Sequence, residues 1–207
     1  MVYLPPHFTE RDPEILAAHI ERYDFATLVT QGAAGLIASQ IPFLAERRDG
    51  GLYLQGHLAR PNPQCADLDG ADEALVIFAG PHAYISPGWY AAGPAVPTWN
   101  YASVHAYGRA RRIDDAEWLR GFLRRLSARH EAREAAPWRM DDQPAAFLDG
   151  MLKGIVGLEI AVERCEGKFK LSQNRPAVDR PRIIAALEAR DDGDSHALAR
   201  LMRDREG

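Results

Sequence analysis

The chain has 207 residues, of which 46% are hydrophobic, and its formal net charge is −4 with acidic and basic residues interspersed. This length suits one sizeable core, or one domain with an appended subdomain. The charge excludes a protein that wraps nucleic acid by bulk electrostatics, because such chains are usually strongly basic, so any contact with DNA is expected to be local or indirect.

The first half of the chain predicts one helix followed by short strands. The helix begins after Asp12-Pro13, where an N-cap residue precedes proline and apolar residues then recur at helical spacing. Turns are predicted over 32–35 and 46–51, the second with Asp49-Gly50 as a hairpin signal. The predicted strands are 25–30, 36–43, 52–58, 74–79 and 83–86. Short strands without long helices between them indicate an antiparallel sheet or barrel.

The second half alternates strands and helices. Residues 88–97, rich in Gly and Pro, predict a loop. The further predictions are a strand over 99–111, a helix over 116–129, a short helix over 145–148, a last strand over 155–164, a loop over 170–175, and helices over 180–190 and 195–203. The final two helices predict a hairpin packed on the barrel or the dimer. Residues 180–205 carry six arginines against five acids, and the turn that links the helices is acidic and would repel phosphate, so they do not resemble a DNA-reading pair.

The helix over 116–129 is a better candidate for contact with DNA. Its apolar residues share one face, and its opposite face carries a locally basic set of side chains. These are Arg120, Arg124, Arg125 and Arg129. A charged stripe opposite an apolar one is also what any surface helix shows, so both interpretations stand.

The compartment and the redox state follow from what the sequence lacks. No apolar run approaches the roughly 20 residues of a membrane span, and the first eight residues lack the features of a signal peptide. Cys65 and Cys165 have no metal-type spacing, so both are expected to be ordinary thiols in a reduced setting. We expect a cytoplasmic protein that does not enter a membrane.

Four local strings carry a resemblance to a known family. They are Val2-Tyr3-Leu4-Pro5-Pro6-His7-Phe8, Gly56-His57-Leu58-Ala59-Arg60-Pro61-Asn62-Pro63, the stretch from Gly80-Pro81-His82 through Thr98-Trp99-Asn100-Tyr101 to Gly108, and Lys170-Leu171-Ser172-Gln173-Asn174-Arg175. Together they resemble the bacterial PaiB family, described as FMN-binding negative transcriptional regulators. The family often has a basic residue where Pro6 stands, which weakens any anion contact there.

The resemblance implies an α+β protein built on an antiparallel split β-barrel of Greek-key type, with peripheral helices and a C-terminal helical hairpin. Residues 1–175 would form the FMN-binding domain and 176–207 an extension packed on it. Such barrels are usually homodimers with the flavin in a crevice between subunits. The implied function is an FMN-binding repressor. The alternatives are a flavin-dependent oxidoreductase on a small substrate, and a flavin-free barrel that binds another ligand such as haem.

Two segments are expected to edge that crevice. His57, Arg60 and Asn62 follow a strand at a tight bend and are our first choice for the FMN phosphate, because charge-assisted hydrogen bonds to phosphate are strong. An Asn-Pro turn with an exposed arginine is the alternative. The second segment is a loop dense in donors that would close over the flavin or its phosphate from the partner subunit, or would simply be solvated. Its candidate residues are Lys170, Ser172, Gln173, Asn174 and Arg175.

Five further polar or aromatic residues are candidates for the isoalloxazine ring. Trp99 could stack on the ring, with Thr98 and Asn100 bonding its rim, although a buried tryptophan is more often part of a core. Ser39 and Gln40 interrupt an apolar strand and need polar partners if buried. Those partners could be the flavin edge, a neighbouring strand or the dimer interface.

We predict neither a metal site nor catalytic residues. His57, His82 and His105 lack ligand spacing and an accompanying carboxylate. The chain has no nucleophile elbow, no phosphate-binding glycine loop and no paired carboxylates. The redox chemistry of a flavoprotein would belong to its cofactor.

Overall fold

The computed structural model describes residues 1–33, 35–70 and 72–205. The strands are β1 (Thr9–Glu10), β2 (Phe25–Gly32), β3 (Gly35–Pro42), β4 (Leu44–Arg48), β5 (Gly51–Ala59), β6 (Ala74–Ile85), β7 (Thr98–Ile113) and β8 (Ile155–Lys170). The α-helices are α1 (Pro13–Arg22), α2 (Ala116–Glu131), α3 (Ala145–Leu152), α4 (Asp179–Glu188) and α5 (Gly193–Arg203). Ala34 of the predicted turn 32–35, and Glu206 and Gly207 of the predicted extension, lie outside the described residues.

The strands form one sheet in the order β3-β2-β6-β7-β8-β5-β4, and β1 pairs with β8. The pairs β1–β8, β2–β3, β2–β6, β4–β5 and β5–β8 are antiparallel. Strands β3 and β4 are the two ends of this order, so the sheet is open. The predicted α+β class with an antiparallel sheet is confirmed.

The chain divides into two compact units, and β6, β7 and β8 contribute residues to both. Unit one contains Met1–His19, Ala79–His105 and Glu166–Gly207, and unit two contains Ile20–Phe78 and Ala106–Cys165. The units group residues that are close in space rather than in sequence, so they do not coincide with 1–175 and 176–207. That functional division stays a prediction.

In unit two, α2 covers one face of the sheet. Asp115 caps the helix by accepting a hydrogen bond from the Trp118 backbone nitrogen at 2.6 Å. The Trp118 ring stacks on that of Phe122, with centroids 5.4 Å apart. It also lies over Gly157 of β8, where an added Cβ would come within 2.5 Å of the indole. The buried side chains of α2 are Leu119, Phe122 and Leu126.

In unit one, α4 and α5 bury an apolar stripe. Asp192 caps α5 by accepting from the Ser195 backbone nitrogen at 2.7 Å. Arg180 and Arg182 of α4 donate to the backbone carbonyls of Met202 and Trp89. The buried residues of the two helices include Ile183, Ile184, Leu187, Leu198, Ala199 and Met202. These two arginines are therefore engaged with backbone carbonyls of unit one.

Strand β1 was not predicted, and three further strands differ clearly from the predicted elements. β4 occupies part of the predicted turn 46–51, because Leu44–Arg48 pairs with β5 despite its charges. β6 continues through Gly80-Pro81, where glycine permits a close approach to the His19 ring and the Ala102 carbonyl. β8 extends to Lys170, because β1 pairs with it at Lys168 and Gly167. The charged residues of β4 and of the end of β8 interrupt the alternation of apolar and polar residues by which a strand is predicted.

Candidate functional site

A cavity of about 460 Å³ lies in unit two, beside the edge strand β3. It is lined by Ala38, Ser39, Gln40, Ile41, Pro42, His57, Leu58, Ala59, Asn62 and Ile155. Four of the predicted site residues, Ser39, Gln40, His57 and Asn62, therefore meet in one place. They come from β3, from β5 and from the bend that follows β5, so no local sequence window contains them all.

Asn62 organises the bend at this cavity. Its Oδ1 accepts a hydrogen bond from the Gln64 backbone nitrogen at 2.9 Å, which caps the short 3-10 turn Pro63–Ala66. Its Nδ2 donates to the Ser39 hydroxyl at 3.1 Å, which ties the bend to β3. The Ser39 hydroxyl accepts in this contact, so its own proton is available to a ligand. The Gln40 side chain lies on the exposed side of β3.

His57 is the unusual polar group of the cavity. Its ring packs edge-on against Phe122, with centroids 5.8 Å apart. Among the described residues, its Nδ1 is buried without a hydrogen-bond partner, and such an atom costs about 1–3 kcal/mol. Burial lowers the pKa of His57 below its ordinary value, so the imidazole is neutral at pH 7. A neutral ring with one unused nitrogen suits an uncharged polar ligand.

Arg60 is already engaged within unit two. Its Nε and one Nη donate to the carbonyls of Lys153 and Ile155, both at 2.9 Å, and the other Nη pairs with Asp114 at 2.8 Å. Hydrogen bonds from Arg112 and then Arg60 lower the pKa of Asp114 to about 2. The positive charge of Arg60 is therefore compensated near neutral pH. Its role at a phosphate stays a prediction.

Lys170 lies in unit one, at the end of β8 rather than in a loop. Its ammonium group donates to the Thr98 hydroxyl and to the Trp99 carbonyl, the latter at 2.7 Å. Burial, and secondarily the charge of Lys168, lower the pKa of Lys170. Thr98 and Lys170 are both candidates from the sequence, and the fold brings them into contact although 72 positions separate them.

Trp99 begins an exposed aromatic surface in unit one. The ring is 53% exposed, and Tyr84 and His82 lie with their ring centroids 6.1 Å from it. A shallow cavity of about 370 Å³ adjoins these rings. Its lining is Ala79, Gly80, His82, Trp99, Tyr101, Ala102 and Ser103. Trp99 is therefore available as a flat wall and is not part of a core.

The remaining candidates mostly bond within unit one. Asn100 is completely buried, and its Nδ2 donates to the Ser172 hydroxyl at 2.8 Å. Gln173 accepts from the Leu171 backbone nitrogen and donates to the Phe169 carbonyl, which folds the loop on itself. Arg175 lies over the Tyr90 ring at 3.8 Å. Asn174 is exposed. Contact of these residues with flavin stays a prediction.

Three arginines on this face of α2 pair with acidic side chains, and the fourth, Arg125, donates to a neutral amide. The partners are Asp149 for Arg120, Asp141 for Arg124, Gln55 for Arg125, and Asp24 for Arg129. The acids come from other parts of unit two, so the sequence of the helix does not reveal them. This face is a poorer candidate for DNA than its sequence indicates.

Two negative findings apply to the described ranges. In residues 1–33, 35–70 and 72–205, no three His, Cys, Asp or Glu side chains are placed to hold a metal ion. No helix in those ranges combines the length and the apolar character needed to cross a bilayer.

The open antiparallel sheet with peripheral helices defines the protein as a split β-barrel. Solved structures share this fold. The FAD and heme binding protein from Mycobacterium smegmatis has a TM-score of 0.58 at 19% identity, over 78% of this chain and 73% of its own. The flavocytochrome Anf3 from Azotobacter vinelandii has a TM-score of 0.54 at 16% identity, over 78% and 69%. The predicted split barrel is confirmed.

Sequence comparison narrows this class to a family. Residues 2–164 match the family described as "Putative FMN-binding domain", and the chain belongs to that family. The chain is also 35% identical to Protease synthase and sporulation protein PAI 2 of Bacillus subtilis, over 99% of this chain and 98% of the relative. The resemblance to the PaiB family is confirmed, and FMN is the cofactor of the family.

Proposed function

We propose that this protein is a cytoplasmic homodimer that binds FMN and acts as a negative regulator of transcription. The full-length likeness to the PAI 2 protein supports the regulatory part, and family membership supports the cofactor. The observation that carries the proposal is the cavity of unit two, where four of the residues expected at the flavin lie together.

The residues present fit the chemical demands of FMN. The isoalloxazine rim needs polar partners, which the unused Nδ1 of His57 and the hydroxyl proton of Ser39 offer. The flat ring needs an apolar wall, which Ile41, Leu58 and Ile155 of the same cavity can form. When bound, FMN would supply a redox-active ring.

The roles we propose follow from these contacts. Ser39, Gln40 and Asn62 hydrogen-bond the polar edge of the flavin, and neutral His57 accepts or donates one further bond at Nδ1. These are binding and positioning roles, and no residue in the proposal acts as an acid or base.

Homodimer formation is supported by exposed apolar side chains on the sheet edge. Strand β3 ends the sheet, and an unpaired edge is a common site of association. Leu36 on this strand is 73% exposed, and Phe25 on the adjoining β2 is 65% exposed. A second copy of the chain would cover both.

The regulatory part of the proposal places DNA contact outside α2. The four arginines of that helix already have acid or amide partners, so a phosphate would have to displace them. The negative net charge also disfavours non-specific binding. The dimer is therefore expected to bind DNA through another surface, with few phosphate contacts and a shallow salt dependence.

Three measurements on the purified chain test this function. We expect a yellow protein, or a colourless one that FMN stabilises thermally, a dimer mass by light scattering, and a specific gel shift at physiological salt. A colourless protein that FMN fails to stabilise would contradict the cofactor. Bleaching by NAD(P)H without any specific DNA shift would favour the oxidoreductase alternative.

Replacing His57 with phenylalanine should raise the unfolding free energy of the protein and lower its affinity for FMN. The variant removes the unpartnered nitrogen while keeping a ring against Phe122, so the unfolding free energy of the flavin-free protein should rise by about 1 kcal/mol. FMN affinity should fall about tenfold, because one hydrogen bond is lost. Thermal unfolding and flavin titration measure the two effects.

The matched control is His130→Phe, at a side chain of unit two that is 52% exposed. This variant should leave FMN affinity unchanged. Wild-type affinity in His57→Phe would remove His57 from the proposed site.

A further inference from the structure

Arg48 and Arg111 share one carboxylate on the surface of unit two. The Nη2 atom of each arginine pairs with Oε1 of Glu159 at 3.1 Å. Arg48 ends β4, Arg111 lies on β7 and Glu159 lies on β8, so strands from both sides of β8 bring the two cations together. Sequence analysis singled out neither arginine, because they lie far apart in the chain.

Both arginine side chains are accessible to solvent, although the carboxylate that holds them is buried. The exposed fractions of the side chains are 39% for Arg48 and 65% for Arg111. The guanidinium group of Arg48 also stacks on the Tyr53 ring at 3.9 Å. Arg111 uses Nη2 for Glu159, and no partner for its other N–H groups is found among the described residues. The pair is therefore fixed at Glu159 and keeps donors for a ligand that arrives from solvent.

The hydrogen-bonded network around the pair carries an excess of positive charge. The buried Gln55 amide donates to Glu159 at 3.0 Å and to Glu46 at 2.9 Å. The same amide accepts a hydrogen bond from Arg125 at 2.6 Å. The connected side chains are thus three arginines and two glutamates, so the network attracts an anion.

Other arginines of unit two are more fully compensated than this pair. Three arginines of α2 have one acid each. Arg60 and Arg112 also share a carboxylate, that of Asp114. Asp69 adds a second acid there, because it accepts a hydrogen bond from the Arg112 backbone nitrogen at 2.8 Å. The pair at Glu159 is therefore the better anion site.

We propose that Arg48 and Arg111 contact phosphate groups of the DNA backbone. The inference rests on the proposed regulatory function and names the surface of unit two that meets its partner. A guanidinium group suits phosphate because its planar fork can donate two parallel hydrogen bonds. Glu159 fixes both side chains in advance, so less conformational freedom is lost when DNA binds. Two contacts also fit the shallow salt dependence expected of a chain with a net charge of −4.

The salt dependence of DNA binding isolates these contacts. We would measure dissociation constants by fluorescence anisotropy with a random-sequence duplex of about 30 base pairs, from about 50 to 200 mM NaCl, because the backbone contribution does not depend on sequence. The proteins are the wild type, Arg48→Gln with Arg111→Gln, and a control that removes two exposed arginines elsewhere in unit two. The control is Arg133→Gln with Arg139→Gln, which changes the net charge by the same amount.

The double variant should bind with a weaker dependence on salt. Each phosphate contact contributes about 0.9 to the slope of log affinity against log salt concentration, so the slope should become shallower by about 1.8 for each chain in contact with DNA. Affinity at the lowest salt concentration should fall about 10- to 100-fold, the size of one or two charge-assisted hydrogen bonds. The control should keep the slope of the wild type.

A double variant with the slope of the wild type would overturn the inference, and so would a wild type that does not bind the random duplex at low salt. The specific gel shift that tests the regulatory function is a separate measurement. A specific shift together with an unchanged slope would therefore leave that function intact, whereas a wild type that shows neither kind of binding would contradict both.

Thermal unfolding of each variant shows whether it is folded, because loss of both cations leaves Glu159 without a counter-charge. If the double variant does not fold, Arg111→Gln alone keeps Arg48 at Glu159 and should make the slope shallower by about 0.9. An unchanged slope would then overturn the inference. Arg48→Lys with Arg111→Lys keeps both charges and should keep the slope, and a shallower slope in this variant would also contradict the proposed contacts.

Discussion

Replacing Glu159 with alanine should lower the free energy of unfolding by about 3 kcal/mol, because it removes the buried centre of a charged network. Glu159 is 5% exposed and lies on β8. Its carboxylate accepts hydrogen bonds from Arg48 and Arg111, each at 3.1 Å, and from Gln55 at 3.0 Å. Without it, the nearly buried Gln55 amide loses a partner and two guanidinium groups lose their counter-charge.

The loss of unfolding free energy in Glu159→Ala should be smaller at acidic pH than at neutral pH. Burial by itself would raise the pKa of Glu159, but the hydrogen bonds from Gln55, Arg48 and Arg111 outweigh it and hold the pKa below the ordinary value of 4.5. A carboxyl group whose pKa is lower in the folded state stabilises the fold above its ordinary pKa and loses this contribution as the pH falls through the folded pKa. The difference between wild type and variant should therefore shrink below about pH 4.

Denaturant unfolding at pH 7 and at pH 3 measures both parts of this prediction. The matched control is Glu163→Ala on the same strand, whose side chain is 57% exposed and lies 3.7 Å from Arg109. An exposed pair of this kind contributes at most about 1 kcal/mol. Equal losses in the two variants would show that the network around Glu159 does not stabilise the protein.

Replacing Gly108 with alanine should destabilise the protein by about 3 kcal/mol, at the upper end of what overpacking usually costs. A Cβ at this position on β7 would lie 2.0 Å from the Ala161 carbonyl oxygen and 2.9 Å from its carbonyl carbon. The obstacle is backbone of the neighbouring strand β8, so no side chain can rotate away. Relief requires the two central strands to separate locally, at the expense of their hydrogen bonds.

Gly150→Ala provides the control, because nothing lies within 4 Å of a Cβ added there in α3. Alanine is favoured over glycine in a helix by up to about 1 kcal/mol, so this variant should be slightly more stable than the wild type. The two substitutions thus add the same methyl group with opposite expected signs. A Gly108→Ala variant as stable as Gly150→Ala would show that β7 and β8 adjust freely at this point.

Elements with a clear local period were predictable from the sequence. Helix α2 has an N-cap and an apolar face, and both its start and its buried residues follow from them. The hairpin of β2 and β3 follows from alternating strands around a turn. The end of β8 was missed, because the charged residues Glu166, Lys168 and Lys170 make this part of the sequence resemble a loop. Only pairing with β1 shows that it is a strand.

The candidate site was predictable in part, because local sequence identifies polar residues but not the distant residues that they contact. The sequence pointed to Ser39 and Gln40 as polar residues in an apolar strand and to His57 and Asn62 at the bend after a strand, and the fold brings them together in one cavity. The same strings pointed equally to Asn100, which is fully buried against Ser172. Whether an amide faces a ligand or a neighbouring loop depends on contacts 72 positions away, which no local window contains.

The sequence by itself determined the family, the order of most strands and helices, and which short segments carry polar side chains suited to a flavin. These properties depend on residue patterns and turn residues that lie close together in the sequence. Only the tertiary structure decided which charges remain uncompensated. Arg60 and three of the four α2 arginines have acidic partners far away in the sequence, whereas no ion pair is found for Lys168 or Lys170 among the described residues, because charge pairing depends on proximity in space.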